Sequence, residues 1–224
     1  MPHFARLLHL VDSALPTGSF AYSYGLESSL TFGVITSQFG LRNYLYSYLQ
    51  QVASFELPFI HSCFQQPELS ETLRPLAEEY DALQLVPPLH RASIVQGRNW
   101  LKLLTSFYPA LHLDAISAWF AGQAIPLHFV PAFALSLQRA GFERREVQTV
   151  FLHTALRDQI SAAIRLGFLG PMEGHQLQHD FYVIFDELLA PHADKLYPAA
   201  TRSAFLLDLA QGLHEDIYSK LFQN

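Results

Sequence analysis

Apolar residues recur three and four positions apart along most of this chain, and no stretch alternates as a half-buried strand would. The pattern predicts an all-α fold, a single-domain bundle of about ten helices over 1–224. A short apolar helix is expected at 7–11, and Ser23 or a neighbour is placed to cap a second that ends near Gly33. Ser37 is placed as the N-cap of a long helix, with Leu41, Tyr44, Leu45, Tyr48, Leu49 and Val52 on one buried stripe. Pro58 is expected to kink or end that helix. Pro67 is expected to open another, with Leu69, Leu73, Leu76, Tyr80 and Leu83 on one face. Pro87-Pro88 reads as a stop, followed by a helix at 89–107. Gly141 reads as a C-cap glycine before a long helix at 143–167, whose acids lie early and whose Arg165 lies late, matching the helix dipole. A helix at 173–189 and a last one from Ser203 to about Leu213 complete the set.

One window tests the picture of a protein in water. Between Asp114 and Arg139 there is no charged residue, and a membrane span needs only ~20 apolar residues. Gln123, Pro126, His128 and Pro131 interrupt it, so two short buried helices are expected instead of a span.

Composition adds what the pattern leaves open. Half of the 224 residues are hydrophobic, enough for a sizeable core, but only 15% are charged. Globular chains usually carry ~25%, so weakly polar surface is left over, and such surface is commonly reserved for another protein. A net charge of −6 argues against nucleic acid, which requires a basic face, and against an anionic membrane. A single cysteine, Cys63, excludes an internal disulfide and a cysteine metal cluster. Without a basic, apolar leader at Met1, a cytoplasmic location is expected.

Reaction chemistry is hard to find. The sequence has no G-x-x-x-x-G-K-[ST] phosphate loop, no G-x-G-x-x-G after a strand, no H-E-x-x-H and no G-x-S-x-G. Histidine is plentiful at 11. His175 and His179, at i, i+4 on an expected helix beside Glu173 and Asp180, form a weak metal pair, set against an ordinary solvated face. A small metal-dependent hydrolase built on that pair is the alternative function. His9, His61, His112 and His128 stand alone on apolar faces and are expected in the core, bonded to carbonyls.

Two stretches stand out locally. Leu15-Pro16-Thr17-Gly18-Ser19-Phe20-Ala21-Tyr22-Ser23-Tyr24-Gly25-Leu26-Glu27 combines small residues with alternating aromatics. It reads either as a helix connection with half-buried tyrosines or as a binding surface, with Gly18 and Gly25 allowing turns. Ser161-Ala162-Ala163-Ile164-Arg165-Leu166-Gly167 puts an arginine among small residues at a helix end, either closing the last carbonyls or offering a forked donor to a partner.

Together with His214-Glu215-x-x-Tyr218-Ser219-x-Leu221-Phe222 at the end of the chain, these stretches resemble the signatures of the UreF family of urease accessory proteins. The resemblance continues through Leu169-Gly170 and Gly174. It implies an all-α homodimer without an enzymatic or nucleotide site, acting as a scaffold. Its implied partners are a UreD/UreH-type accessory protein, the UreG GTPase and apo-urease, with nickel handled by the complex and no cofactor bound stably. Gly18, Phe20, Gly25, Gly167 and Gly170 are expected to build the fold. Tyr22, Ser23, Glu27, Arg165, Tyr218, Leu221 and Phe222 are expected to touch partners. The tail, 214–224, is expected to be loosely ordered alone and to fold on docking.

Overall fold

The computed structural model describes residues 3–66, 68–202 and 204–223; among these there are eleven α-helices and no strand. They are α1 (His3–Leu10), α2 (Leu26–Thr31), α3 (Gln38–Phe64), α4 (Arg74–Ala82), α5 (Pro87–Phe107), α6 (Asp114–Gly122), α7 (Phe129–Arg139), α8 (Arg144–Arg165), α9 (Pro171–Phe181), α10 (Phe185–His192) and α11 (Phe205–Gly212). Pro67 and Ser203, expected to open helices, lie outside the described residues, as do Met1, Pro2 and Asn224.

The axis is α3. Ser37 caps it as expected, its Oγ accepting from the Gly40 N–H at 3.1 Å. From Gln51 onward nearly every side chain of α3 is buried, because α7, α8 and α10 pack around it. A helix apolar on all sides belongs at the centre of a bundle. One continuous apolar core runs from Leu10 to Phe222, and its aromatic centre is Phe55, Phe59, Tyr80, Trp100 and Phe133.

Several elements depart from expectation, each for a local reason. Pro58 neither ends nor breaks α3, which continues to Phe64. Proline cannot donate to the carbonyl four residues back, but that carbonyl, on Ser54, accepts instead from the Thr201 N–H at 3.1 Å. Pro87-Pro88 starts α5 instead of stopping the chain, since the first helical turn tolerates a missing N–H. The helix expected at 173–189 is two, α9 and α10, joined by a 3-10 turn at Tyr182–Ile184. The face expected from Leu69 to Leu83 belongs partly to a 3-10 turn, Glu71–Leu73, that precedes α4.

The charge-free window forms two helices, α6 and α7. Val130 to Leu137 are all buried in α7, whereas α6 buries only Ile116 and Phe120. No helix among the described residues is long and apolar enough to cross a membrane. Gly141 closes α7 with a φ of 81°, and Glu143 and Glu146 form a capping box at the start of α8.

Candidate functional site

The three signature stretches, far apart in sequence, meet at one place. The chain leaves α1, turns at Gly18 (φ 87°) into a 3-10 turn at Ser19–Ala21, and then bends sharply at Tyr24 (φ 51°) and Gly25 (φ 92°) into α2. Gly25 is required twice over. Its φ disfavours any side chain, and a Cβ there would lie 2.9 Å from Gln211 Cγ and 3.2 Å from the Gln211 N. A left-handed tyrosine costs roughly 1–3 kcal/mol and persists only where neighbours hold it. Here the Tyr24 carbonyl accepts from Tyr44 Oη (3.0 Å) and Gln211 Nε2 (3.2 Å), and its hydroxyl pairs with the Gln96 amide. Burial pushes the Tyr24 phenol above its ordinary value, so it stays neutral.

Glu27 is the centre of this site. Its carboxylate is buried, and its Oε2 is 2.8 Å from Nε2 of the fully buried His214. Oε1 accepts from the Leu221 N–H at 2.6 Å and Oε2 from the Phe222 N–H at 3.2 Å. The Gln223 N–H donates to the Ala21 carbonyl at 2.8 Å. The tail, expected to be loose in the isolated chain, is therefore fastened to the opening loop by main-chain donors, with Ile217 and Phe222 buried. Ser23, four residues before Glu27, is also buried; its Oγ accepts from the Glu27 N–H and its carbonyl accepts from Gln159 Nε2 on α8.

Arg165, at the end of α8, completes the site. Its guanidinium donates to the Phe20 carbonyl and lies over two rings, 4.5 Å from the Phe20 centroid and 4.3 Å from that of Phe222. The forked donor inferred from sequence thus has its carbonyl acceptor within the chain. Gly167, with a φ of 71°, ends α8, while Gly170 has an ordinary φ of −69° and its N–H donates to the Glu173 carboxylate.

These contacts redistribute the expected roles. Ser23, Glu27 and Phe222, expected to face partners, are buried because they tie loop to tail. Phe20, expected to build the fold, is 64% exposed, its ring covering Arg165 from outside. Tyr22 is half-buried against Tyr24. Tyr218 is fully exposed and Leu221 half-exposed. Beside them, α11 packs on α2 and turns Phe205, Leu206 and Leu209 outward.

His175 and His179 are exposed, and no third His, Cys, Asp or Glu ligand atom joins them among the described residues. Of the four histidines expected in the core, only His61 bonds a carbonyl, that of Lys195 at 3.0 Å. His9 and His112 are exposed. His128 is buried, and Asp81 Oδ1 lies 2.9 Å from its Nε2 and 2.7 Å from His90 Nε2. Burial pushes the Asp81 carboxyl up, but hydrogen bonds from His128 and His90 outweigh this and hold it below its ordinary value. Burial lowers the His128 pKa and so favours the neutral ring. Sequence reasoning missed this trio. Asp81 and His90 are separated by a proline pair, and nothing local links either to position 128.

The fold and the loop–tail site define a helical protein whose opening loop, α8 end and tail are built into one patch. A family model described as UreF matches residues 35–182, and the chain belongs to that family: non-catalytic urease accessory proteins involved in nickel insertion into urease. It is 31% identical to Urease accessory protein F of Arabidopsis thaliana over 215 residues, 95% of this chain and 89% of that protein. Identity is 29% to Urease accessory protein F of Oryza sativa subsp. indica, over 95% of this chain and 82% of its relative. It is 28% to Urease accessory protein UreF of Trichormus variabilis, over 99% and 96%.

Proposed function

We propose that this chain acts as one cytoplasmic, UreF-like domain that scaffolds urease maturation. It dimerises, binds a UreD/UreH-type partner, recruits the UreG GTPase and modulates or gates its GTP use, so that nickel reaches apo-urease through the assembly. The observation that carries the reading is the convergence of loop, Arg165 and tail into one patch. That patch exposes Phe20, Arg165, Tyr218 and Leu221 while burying Ser23, Glu27 and His214, which shape it. Exposed aromatic anchors on a fixed frame are what tight interfaces use. Within this reading Tyr218 and Leu221 contact the partner, Tyr22 stands at the edge, and Ser23, Glu27, Arg165 and Phe222 hold the contact surface in shape.

The test combines the chain with a UreD/UreH-type protein and a P-loop GTPase, and measures co-purification and GTP turnover. A ternary complex with altered turnover is expected. Tyr218→Ala with Leu221→Ala should weaken capture of the UreD/UreH-type protein by about tenfold or more, as loss of an anchor does, without changing the helical circular dichroism. Recovery of free chain only, with both partners present, would overturn the reading.

A further inference from the structure

We propose that Asp81, His90 and His128 form a binding site for one first-row divalent cation of the zinc or nickel kind. Asp81 Oδ1 and the two imidazole Nε2 atoms are its protein ligands, and water completes the shell. The inference uses none of the loop–tail residues and holds whether or not the scaffold reading does.

Three elements deliver these atoms to one point: the end of α4, the first turn of α5 and the residue just ahead of α7. Asp81 Oδ1 lies 2.7 Å from His90 Nε2 and 2.9 Å from His128 Nε2, and the three atoms all lie within 4.8 Å of one another. Ligand atoms around a tetrahedral ion with bonds of ~2.0–2.1 Å sit about 3.3 Å apart, so the two Asp81–histidine distances need to open by about half an ångström. Two imidazoles and a carboxylate suit zinc or nickel. The carboxylate supplies a negative charge to meet a dication.

The site is both built and open. His128 is only 1% exposed, whereas the Asp81 and His90 side chains are 33% and 31% exposed. An ion there would face solvent on one side, as in sites with three protein ligands and a water. His128 is fixed by its surroundings. A Cβ at Gly97 would fall 2.6 Å from the Leu127 carbonyl oxygen and 2.8 Å from the His128 carbonyl carbon, so α5 runs directly against this backbone. The Phe129 N–H donates to Ser93 Oγ at 3.2 Å, joining the same segment to α5. Tyr80 packs edge-on to the His128 ring at 5.4 Å, and the His90 ring does so at 4.8 Å. In the metal-free chain His128 donates its Nε2–H to Asp81, so ligation through Nε2 moves that proton to Nδ1, which is buried and has no hydrogen-bond partner among the described residues.

The test titrates metal-free full-length chain with Zn²⁺ and, separately, Ni²⁺, by calorimetry and by metal analysis after dialysis. One equivalent of either ion per chain is expected, with a raised melting temperature. His90→Ala, on a half-exposed side chain, should weaken uptake by about tenfold or more, as should Asp81→Asn; circular dichroism checks both folds, and His90→Gln replaces either variant that unfolds. His175→Ala with His179→Ala should leave uptake unchanged. No stoichiometric uptake of either ion, uptake that survives both His90 substitutions, or uptake lost with the His175 and His179 pair would overturn the proposal.

Discussion

Glu27 and Asp81 both accept from imidazole Nε2 atoms at nearly the same distance, yet they sit in opposite kinds of place. Glu27 and His214 are sealed, and the carboxylate's remaining capacity is taken by the main chain of the tail. Asp81 meets His128 and His90 with one side turned to solvent. The pairing chemistry is shared, so the surroundings decide the consequence. A carboxylate saturated by backbone donors fixes a chain path. One that leaves an open side stays reachable from solvent.

Breaking the sealed site should have the largest effect. Glu27→Ala strands a buried imidazole and two tail N–H groups, and removing one partner from a buried pair typically costs about 3–5 kcal/mol. Urea unfolding should show that loss, and amide exchange at Leu221 and Phe222 should rise by more than exchange in α3. Unchanged exchange in the tail would mean that Glu27 does not hold it.

Another carboxylate, Glu56, sharpens the contrast because no imidazole pairs with it among the described residues. Glu56 lines a cavity of about 130 Å³ with Tyr24, Tyr48, Tyr80, Asp158 and Arg202, and accepts from Tyr80 Oη at 2.8 Å. Burial pushes its pKa up to about 7, against the lowering by Tyr80 and Arg202. The folded state therefore binds this proton more tightly than the unfolded chain. Stability from this group is fully present below the unfolded value near 4.5 and falls as pH rises to about 7, above which the loss is constant. Glu56→Gln should remove that fall and raise stability at pH 8 by an amount on the order of 2 kcal/mol. Parallel stability–pH curves for the two proteins would refute this.

Arg165→Lys should have the smallest effect, about 0.5–1 kcal/mol, since an ammonium replaces the planar cation over the two rings. Tail amide exchange is the sensitive readout, and a tail as protected as in the unaltered chain would show the stacking to be incidental.

How far the sequence reaches follows the same division between local and tertiary causes. Ser37, Gly141 and the Glu143–Glu146 box declare their helix ends because the partners are within three residues. Pro58 misleads because its rescue comes from Thr201, which local pattern cannot anticipate. Pro87-Pro88 is ambiguous by nature, serving equally to end one helix and to begin the next. The turn at Tyr182–Ile184 carries no glycine or proline to announce it. At the loop–tail site, the three stretches are legible as unusual, but burial decides their roles. Glu27 reads as a surface acid until its acceptors are seen to be filled by the tail, and Phe20 reads as core until Arg165 is seen beneath it. The Asp81 trio leaves no trace in spacing at all.

The placement of Arg165 over two rings has one more consequence. The guanidinium pairs one ring that the fold holds, Phe222, 4% exposed with its N–H on Glu27, with one ring on the surface, Phe20, 64% exposed. Losing this one cation would therefore release a surface ring and loosen a core ring together.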